Sequence, residues 1–565
     1  AERIRPVGVL GYAAFHSNEN LVHVSIPAGI GAFSENALCN CSRLTSVDLT
    51  PGVTNVCYGI WGCPIHRLDI VDLAAYCAIT FESSYFGTLP SGISSDNSCE
   101  LYVNGELVSD LVIPEGVTSV STTAFAGFSS LKSLVVPACV TRIGTNAFAS
   151  CTGLTNATVR ARCLGVGMFS DCRNLTDVTL SEGLVEIPEK AFYCCRALRG
   201  LEIPSTVADI GEFALGTCPA ICEIDLPLAV TNIGRGAFAA SGFTRFSWPD
   251  RVAAIPASAF ASCSKLQSFD VPLGVTQVGS GAFKNCPALD VCIRDLGSWC
   301  RVAFEDETAN PLARGGRLLL DGELVEDVTF PADCWDVSLA FAGYQHLKDV
   351  TLSRGVTNLH ERAFRNSSVE SLHLPPGLAC IGRNAFEGCA RLSKVHVADV
   401  ADWLSVSLDV YYPSSYTYTR SFFASPFCTG ASLYVGGVLL TDLVTPPDVR
   451  EISSGAFAGC TKLTDFYVSS FVTSWTADAI TGPAAYGMRL WVDKTNPEWR
   501  TWIAANVTPW KGLDGDVQGV YYDNFGADAK RPVGLIAASS AQLPLQWLAR
   551  WYPNGPKKGF MVILQ

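Results

Sequence analysis

Residues 237–283 read AFAASGFTRFSWPDRVAAIPASAFASCSKLQSFDVPLGVTQVGSGAF, a stretch that opens on Ala237-Phe238, passes through Ala259-Phe260 and closes on Ala282-Phe283. Between these pairs one order recurs: Ser or Cys three residues after the Phe, a Leu-like residue, an apolar-x-apolar-Pro segment, and a polar turn leading back to Ala-Phe. Outward from this stretch the anchor aromatic or its substitute falls at Phe15, Leu38, Trp61, Phe125, Phe148, Phe169, Phe192, Leu215, Phe238, Phe260, Phe283, Phe341, Phe364, Phe386 and Phe457. The spacing stays at 21 to 23 residues except across three gaps. A chain of 565 residues outgrows a single ordinary core. Stacked units that bury their apolar faces against their neighbours escape that limit, so the period predicts a solenoid.

In Leu201-Glu202-Ile203-Pro204 and Ile224-Asp225-Leu226-Pro227 alternation turns two apolar residues inward and the middle one outward. The Pro ends the strand, where no ladder N–H is needed. Stacked strands would lie roughly 4.8 Å apart, with Ala-Phe returning on the opposite side as a helical turn or tight coil.

Ala-Phe-x-x-Cys-x-x-Leu, the strand-Pro segment and Val-Thr-x-Ile-Gly recur over most of residues 9 to 470. This pattern resembles the BspA-type (Treponema-type) leucine-rich repeats of bacterial surface proteins. The resemblance implies a right-handed leucine-rich-repeat solenoid of short parallel strands with irregular or helical returns. It also implies a secreted or cell-surface protein of an adhesive or host-interaction kind, and supplies no ligand.

Each gap holds an aromatic-bearing apolar segment, at Tyr76, Trp299 or Trp403, and then a hairpin signature. These signatures are Asn104-Gly105, Asp321-Gly322 and Gly436-Gly437, each between alternating apolar residues. The predicted organisation is a first run of repeats over 1–70, an insert over 71–110, a second run over 111–293, an insert over 294–325, a third run over 326–397, an insert over 398–442 and a last unit over 443–470. The inserts either display binding loops or cover and join segments of the solenoid. Residues 471–565 leave the repeat and hold seven of the twelve Trp (Trp475, Trp491, Trp499, Trp502, Trp510, Trp547 and Trp551). They read as a non-repeat cap over the open end, with a glycan- or protein-docking platform as the alternative. The chain begins inside a repeat without a signal-peptide pattern and ends on an apolar run, which suggests removal of a leader or a fragment.

Composition narrows the function. Hydrophobic content is 48% and charged content 16%, yet no clean apolar run of membrane-spanning length occurs, so the excess belongs to a long core. Net charge is −13 with no basic run, which argues against nucleic acid and anionic membrane as partners. Of 23 Cys, nine share the slot three after the anchor (Cys41, Cys151, Cys172, Cys195, Cys218, Cys263, Cys286, Cys389, Cys460), while Asn18, Ser241 and Ser367 replace Cys there. A disulfide partner does not interchange so readily, so the column reads as buried thiols, with pairs left open only for outliers such as Cys39, Cys194 or Cys222.

No cofactor is expected. Phosphate-loop, dinucleotide and nucleophile-elbow motifs are absent, and Asp514-Gly515-Asp516 lacks the distal Glu of a calcium loop. His373 and His396, each between two apolar residues of equivalent strands, are the sole metal candidates, and weak ones for want of further ligands. The outward strand positions collect carboxylates: Asp177, Glu202, Glu223, Asp225, Asp270, Asp290 and Asp349 form the candidate binding face, with Asp48, Asp69 and Asp465 in the same class and Arg245 and Lys394 the chief bases. The chain therefore reads as a non-enzymatic extracellular or cell-surface scaffold that binds protein, a basic extracellular or host surface protein suiting its charge, with a glycan as a further ligand class. The alternatives are a tether for a carbohydrate-binding or carbohydrate-active C-terminal domain, in which two facing carboxylates would matter, and a passive surface spacer.

Overall fold

Alternation sorts the side chains of each strand as the pattern requires. In Ser133–Val136, Leu134 and Val136 are buried while Ser133 and Val135 face the other way. The computed structural model describes residues 8–475 apart from 57–59, 61, 82–98, 410–423, 454, 458 and 469–470, together with the backbone of strands Arg489–Asp493, Val517–Val520 and Val533–Ala538. The chain divides into two units, Ala1–Leu289 and Asp290–Gln565, each a parallel-strand solenoid with little helix.

A turn of either unit has three sides. The first is a strand of three or four residues in parallel register with its neighbours, as in Ser133↔Asn156↔Asp177 of the first unit and Asp349↔Ser371↔Lys394 of the second. The second is a two-residue strand at the x-Ile place of Val-Thr-x-Ile-Gly, as in Asn232–Ile233, with Glu186–Ile187 and Asp209–Ile210 at the equivalent place of their turns, and these make a ladder of their own. The Gly that follows lets the turns approach: a Cβ on Gly211 would lie 2.4 Å from Glu189 N.

The third side is the Ala-Phe return, a tight coil except at Leu339–Phe341, where it is a 3-10 turn. Residues two before and two after the anchor take left-handed backbone, for example Lys190 (φ 54°) and Cys194 (φ 60°) around Phe192, and Arg362 (φ 62°) and Asn366 (φ 57°) around Phe364. Left-handed conformation costs roughly 1–2 kcal/mol for a residue with a Cβ and breaks any α-helix. It is offset by a third set of inter-turn hydrogen bonds: Lys190 N–H donates to Glu212 O, Phe192 N–H to Ala214 O and Cys194 N–H to Gly216 O, each at 2.9 Å.

Inside, the anchors stack. In the first unit Phe125–Phe148, Phe148–Phe169 and Phe169–Phe192 have centroids 5.2, 6.2 and 5.6 Å apart. In the second, Phe364–Phe386 lie 5.8 Å apart with rings 4° from parallel. Each fully buried Phe contributes on the order of 1.5–3 kcal/mol. Phe15 departs from this: it is 42% exposed, because among the described residues a turn covers it on one side only.

The cysteine column is buried, and its thiols are hydrogen-bond donors as well as fillers. Cys41, Cys151, Cys172, Cys195, Cys218, Cys263, Cys286 and Cys389 each donate Sγ–H to the anchor carbonyl of the preceding turn at 2.9–3.2 Å. Ser241 fits the same slot because its Oγ donates to Leu215 O at 2.8 Å. Of the outliers, Cys194 is a buried thiol and Cys222 an exposed one.

The three gaps contain ladder strands. Each opens with a five-residue helix capped by an Asp side chain: α1 Leu73–Cys77 by Asp72, α2 Leu296–Cys300 by Asp295, and α3 Val400–Leu404 by Asp399. The helices bury Tyr76, Trp299 and Trp403. Tyr76 Oη donates to Ala124 O (2.6 Å) and Trp403 Nε1 to Ala456 O (3.1 Å), keying each insert to the next anchor's return. The first arm of each hairpin continues the parallel ladder: Glu100–Val103 on Arg67–Ile70, Arg317–Leu320 on Asp290–Ile293, and Ser432–Val435 on Lys394–Val397. The second arm pairs antiparallel and stops that ladder. Positive φ at Asn104-Gly105, Asp321-Gly322 and Gly436-Gly437 makes the tight turns the signatures predicted. Beyond residue 471, Arg489–Asp493 pairs parallel with Asp465–Val468, and Val533–Ala538 with Arg489–Asp493.

Candidate interaction face

The outward strand positions form two rows. The first precedes the first inward residue of each strand, and the second lies between the two inward residues. In the first unit the first row runs Ser46↔Arg67↔Glu100 and, after the hairpin, Asp110↔Ser133↔Asn156↔Asp177. The second row contains Asp48↔Asp69↔Tyr102 and Ser247↔Asp270. In the second unit the first row includes Asp290↔Arg317 and Asp327↔Asp349↔Ser371↔Lys394↔Ser432, and the second row Thr329↔Thr351↔His373↔His396↔Tyr434.

The predicted carboxylates are thus divided. Asp177, Asp290 and Asp349 stand in the first row and Asp270 in the second. By repeat position Glu223 belongs to the first row and Glu202 and Asp225 to the second, although the segments around them form no ladder. Partners soften the charge. Asp290 receives both Nε (2.7 Å) and Nη2 (2.6 Å) of Arg317, a guanidinium that holds its carboxyl below the usual range. Asp69 pairs with Arg67 at 2.8 Å, Asp48 with His23 at 3.2 Å and Asp349 with His373 at 3.3 Å. Asp177 accepts from Thr176 Oγ1 and Asp270 from Ser247 Oγ. Glu202, Glu223 and Asp225 are exposed and have no ion pair among the described residues.

Sequence reasoning did not count Arg67, Arg317, Tyr102 or Tyr434 on this face. The Arg67 guanidinium lies 3.7 Å from the centroid of the Tyr102 ring, whose hydroxyl donates to Glu100 Oε2 at 2.8 Å. Tyr434 stacks on His396 at 4.9 Å. The signal was available: both tyrosines are the middle residue of a hairpin's first arm, an outward place.

His373 and His396 are ladder neighbours with rings 4.3 Å apart and 7° from parallel. Face-to-face stacking aims their nitrogens side by side, whereas a tetrahedral metal needs lone pairs that converge on one point. Among the described residues no group of three or more His, Cys, Asp or Glu has a metal-holding arrangement. Trp499, Trp502, Trp510, Trp547, Trp551 and the Asp514–Asp516 segment lie outside the described residues.

What these rows can do chemically is hold a partner by noncovalent contact. Partly exposed Tyr and Arg side chains on a rigid ladder supply large contact area with little ordering cost. Parallel strand ladders, a repeated apolar return and an outward row of variable polar residues define the class of leucine-rich-repeat solenoids. A model of the BspA type leucine rich repeat region matches six copies over residues 6–75, 99–203, 185–308, 325–404 and 431–482, more than half of the chain. The chain belongs to the BspA-type leucine-rich-repeat family.

Solved structures with similarity include a leucine-rich repeat protein from Bacteroides ovatus, with 19% identity over 66% of this chain and 86% of that one at a TM-score of 0.37. Another is a leucine rich cell surface protein from Faecalibacterium prausnitzii, with 22% identity, 70% and 92% coverage and a TM-score of 0.33. The T. pallidum leucine rich repeat protein shares 24% identity over 32% of this chain and 80% of its own, with a TM-score of 0.23. No curated protein matches the chain.

Proposed function

We propose that this chain is a non-enzymatic recognition or adhesion scaffold, acting at the cell surface or outside the cell, that docks a protein partner on its outward strand rows. One observation carries the reading: the Arg67–Tyr102 contact and the His373–His396–Tyr434 stack stand on the outward strand positions, as the carboxylates do, half-exposed instead of packed into the core. Tyr and Arg are the residues that anchor protein interfaces, and a ladder holds them at fixed spacing. The net charge of −13 and the exposed Glu202, Glu223 and Asp225 favour a basic partner. A surface or secreted setting accords with the family, and no helix among the described residues is long and apolar enough to cross a membrane.

Binding of the full chain to immobilised extracellular-matrix proteins of basic and acidic pI, measured from 50 to 500 mM salt, tests the reading. Basic proteins should be retained, with affinity falling as salt rises and falling further in the double variant Glu223→Lys, Asp225→Lys. Tyr102→Ala should weaken binding without changing its salt slope. Equal retention of acidic and basic proteins, or binding indifferent to salt and to all three substitutions, would overturn the docking face.

A further inference from the structure

The His373–His396–Tyr434 stack has an unequal supply of countercharge. Four strands and a hairpin arm surround it. Strand Asp349–Thr351 brings Asp349, Ser371–His373 brings His373 itself with Glu370 just ahead, Lys394–Val397 brings His396 and Lys394, and Ser432–Val435 brings Tyr434. The arm Val438–Leu439, opposite Tyr434, adds no ionisable group. Asp327 lies one strand beyond Asp349. One carboxylate therefore faces two imidazoles, and it faces them unevenly. Asp349 Oδ1 is 3.3 Å from His373 Nε2, shielded from solvent and without a hydrogen-bond donor, so a positive charge on His373 is what it stands to gain. His396 is one strand further away, beside Lys394, with an aromatic ring on each face.

We propose that this stack is a proton-operated element of the strand face: a proton arriving on His396, which has His373 on one face and Lys394 beside it, breaks the stack and releases the Tyr434 ring. A neutral imidazole tolerates an imidazolium on its face. Two imidazoliums 4.3 Å apart would repel by the equivalent of about 0.7 pH unit at an effective dielectric near that of water. Burial, His373 and Lys394 all hold His396 below its usual range, with Asp349 opposing them in part. At neutral pH the second row thus carries an aromatic file, and in mild acid it carries a cationic His396 and a freed tyrosine. The inference rests on the geometry of the stack and not on the docking reading, so failure of one leaves the other standing.

The test is a histidine-selective NMR titration of the full chain from pH 8 to 4.5, in the unmodified protein and in His373→Thr, which installs the residue that Thr351 places one strand earlier. The Tyr434 ring resonances are expected to move in the same step as His396. In His373→Thr the His396 step should rise by about 0.7 pH unit. In Asp349→Asn the His396 step should fall, because Asp349 opposes the groups that hold it down. His396 titrating at the same pH with and without His373, or Tyr434 resonances unmoved through the His396 step, would overturn the proposal. Neither variant alters an inward residue, and circular dichroism identical to the unmodified protein confirms that each is folded.

Discussion

Cys195 Sγ donates a hydrogen bond to the carbonyl oxygen of Phe169, 3.1 Å away and one turn earlier. The same link recurs through both units, so the thiol slot joins consecutive returns as well as filling space. Phe169 O also accepts Cys172 N–H at 3.1 Å, so the thiol supplies the second hydrogen bond of this carbonyl.

Replacing this thiol should therefore separate volume from hydrogen bonding. Cys195→Ser keeps a donor, as Ser241 does, and should cost less than about 1 kcal/mol. Cys195→Val fills the space without donating and should cost about 0.5–1.5 kcal/mol, more than the serine. Urea unfolding followed by circular dichroism gives the order, and a valine variant as stable as the serine one would remove the donor from the argument.

Burial pushes the thiols of Cys77, Cys99, Cys218 and Cys263 up to about 12 from an ordinary value of 9.0. A raised folded value means that the unfolded chain releases these protons first. The stabilisation is complete below pH 9 and is lost as pH climbs through about 12. The urea midpoint should be level from pH 7 to 8.5 and fall steadily above 9. At pH 8 a thiol-reactive dye should label exposed Cys222 at once and Cys218 only as fast as the unit opens. A level midpoint to pH 11, or rapid labelling of Cys218, is the contrary result.

The three insert aromatics are equivalent in sequence and unequal in bonding. Trp403 Nε1 donates to Ala456 O, whereas Trp299 Nε1 is buried with no acceptor among the described residues. Trp403→Phe should therefore cost roughly 1–3 kcal/mol more than Trp299→Phe, which removes a donor that already lacks a partner. Equal losses of stability in the two variants, read by differential scanning calorimetry, would contradict the assignment.

Gly211 is required by the neighbouring turn. Its added Cβ would meet Glu189 N at 2.4 Å and Pro188 C at 2.6 Å, backbone atoms that cannot swing aside. Gly211→Ala should cost about 1–3 kcal/mol, while Gly200→Ala, with open space around it, should change little. Thermal melts of the two variants decide the matter.

Phe260 sits between Phe238 and Phe283, 5.6 Å from each, with Phe269 edge-on at 5.1 Å. Phe260→Ala should cost roughly 3–5 kcal/mol, and Phe260→Leu well under half of that, as Leu215 already holds an anchor place. A melting temperature that barely moved in the Ala variant would be incompatible with a load carried by the stacked file.

The periodic elements were legible because period and burial coincide. Phe148, Phe192 and Phe364 recur at the repeat spacing and are buried, and Asn104-Gly105 demanded a tight turn wherever it fell. The return was harder to read. Lys190, Phe213 and Arg362 take left-handed backbone that their side chains alone would discourage, because the N–H groups so turned find carbonyls on the next turn. Only the stacked neighbour makes that choice favourable. The binding candidates divide in the same way. Outward positions were visible from alternation, so His373 and His396 could be predicted as neighbours. That Asp290 is matched by Arg317, 27 residues on, depends on a hairpin insert joining the ladder, which local patterning does not encode.

By itself the amino-acid sequence determined the repeat, the inward and outward sides of each strand, the hairpin turns and the buried thiol slot, because each follows from side-chain period or backbone chemistry within one turn of chain. Tertiary structure alone decided which outward charges are neutralised, which aromatics stack and where the ladders stop. Those outcomes depend on register between turns, and register is set when the turns pack against one another.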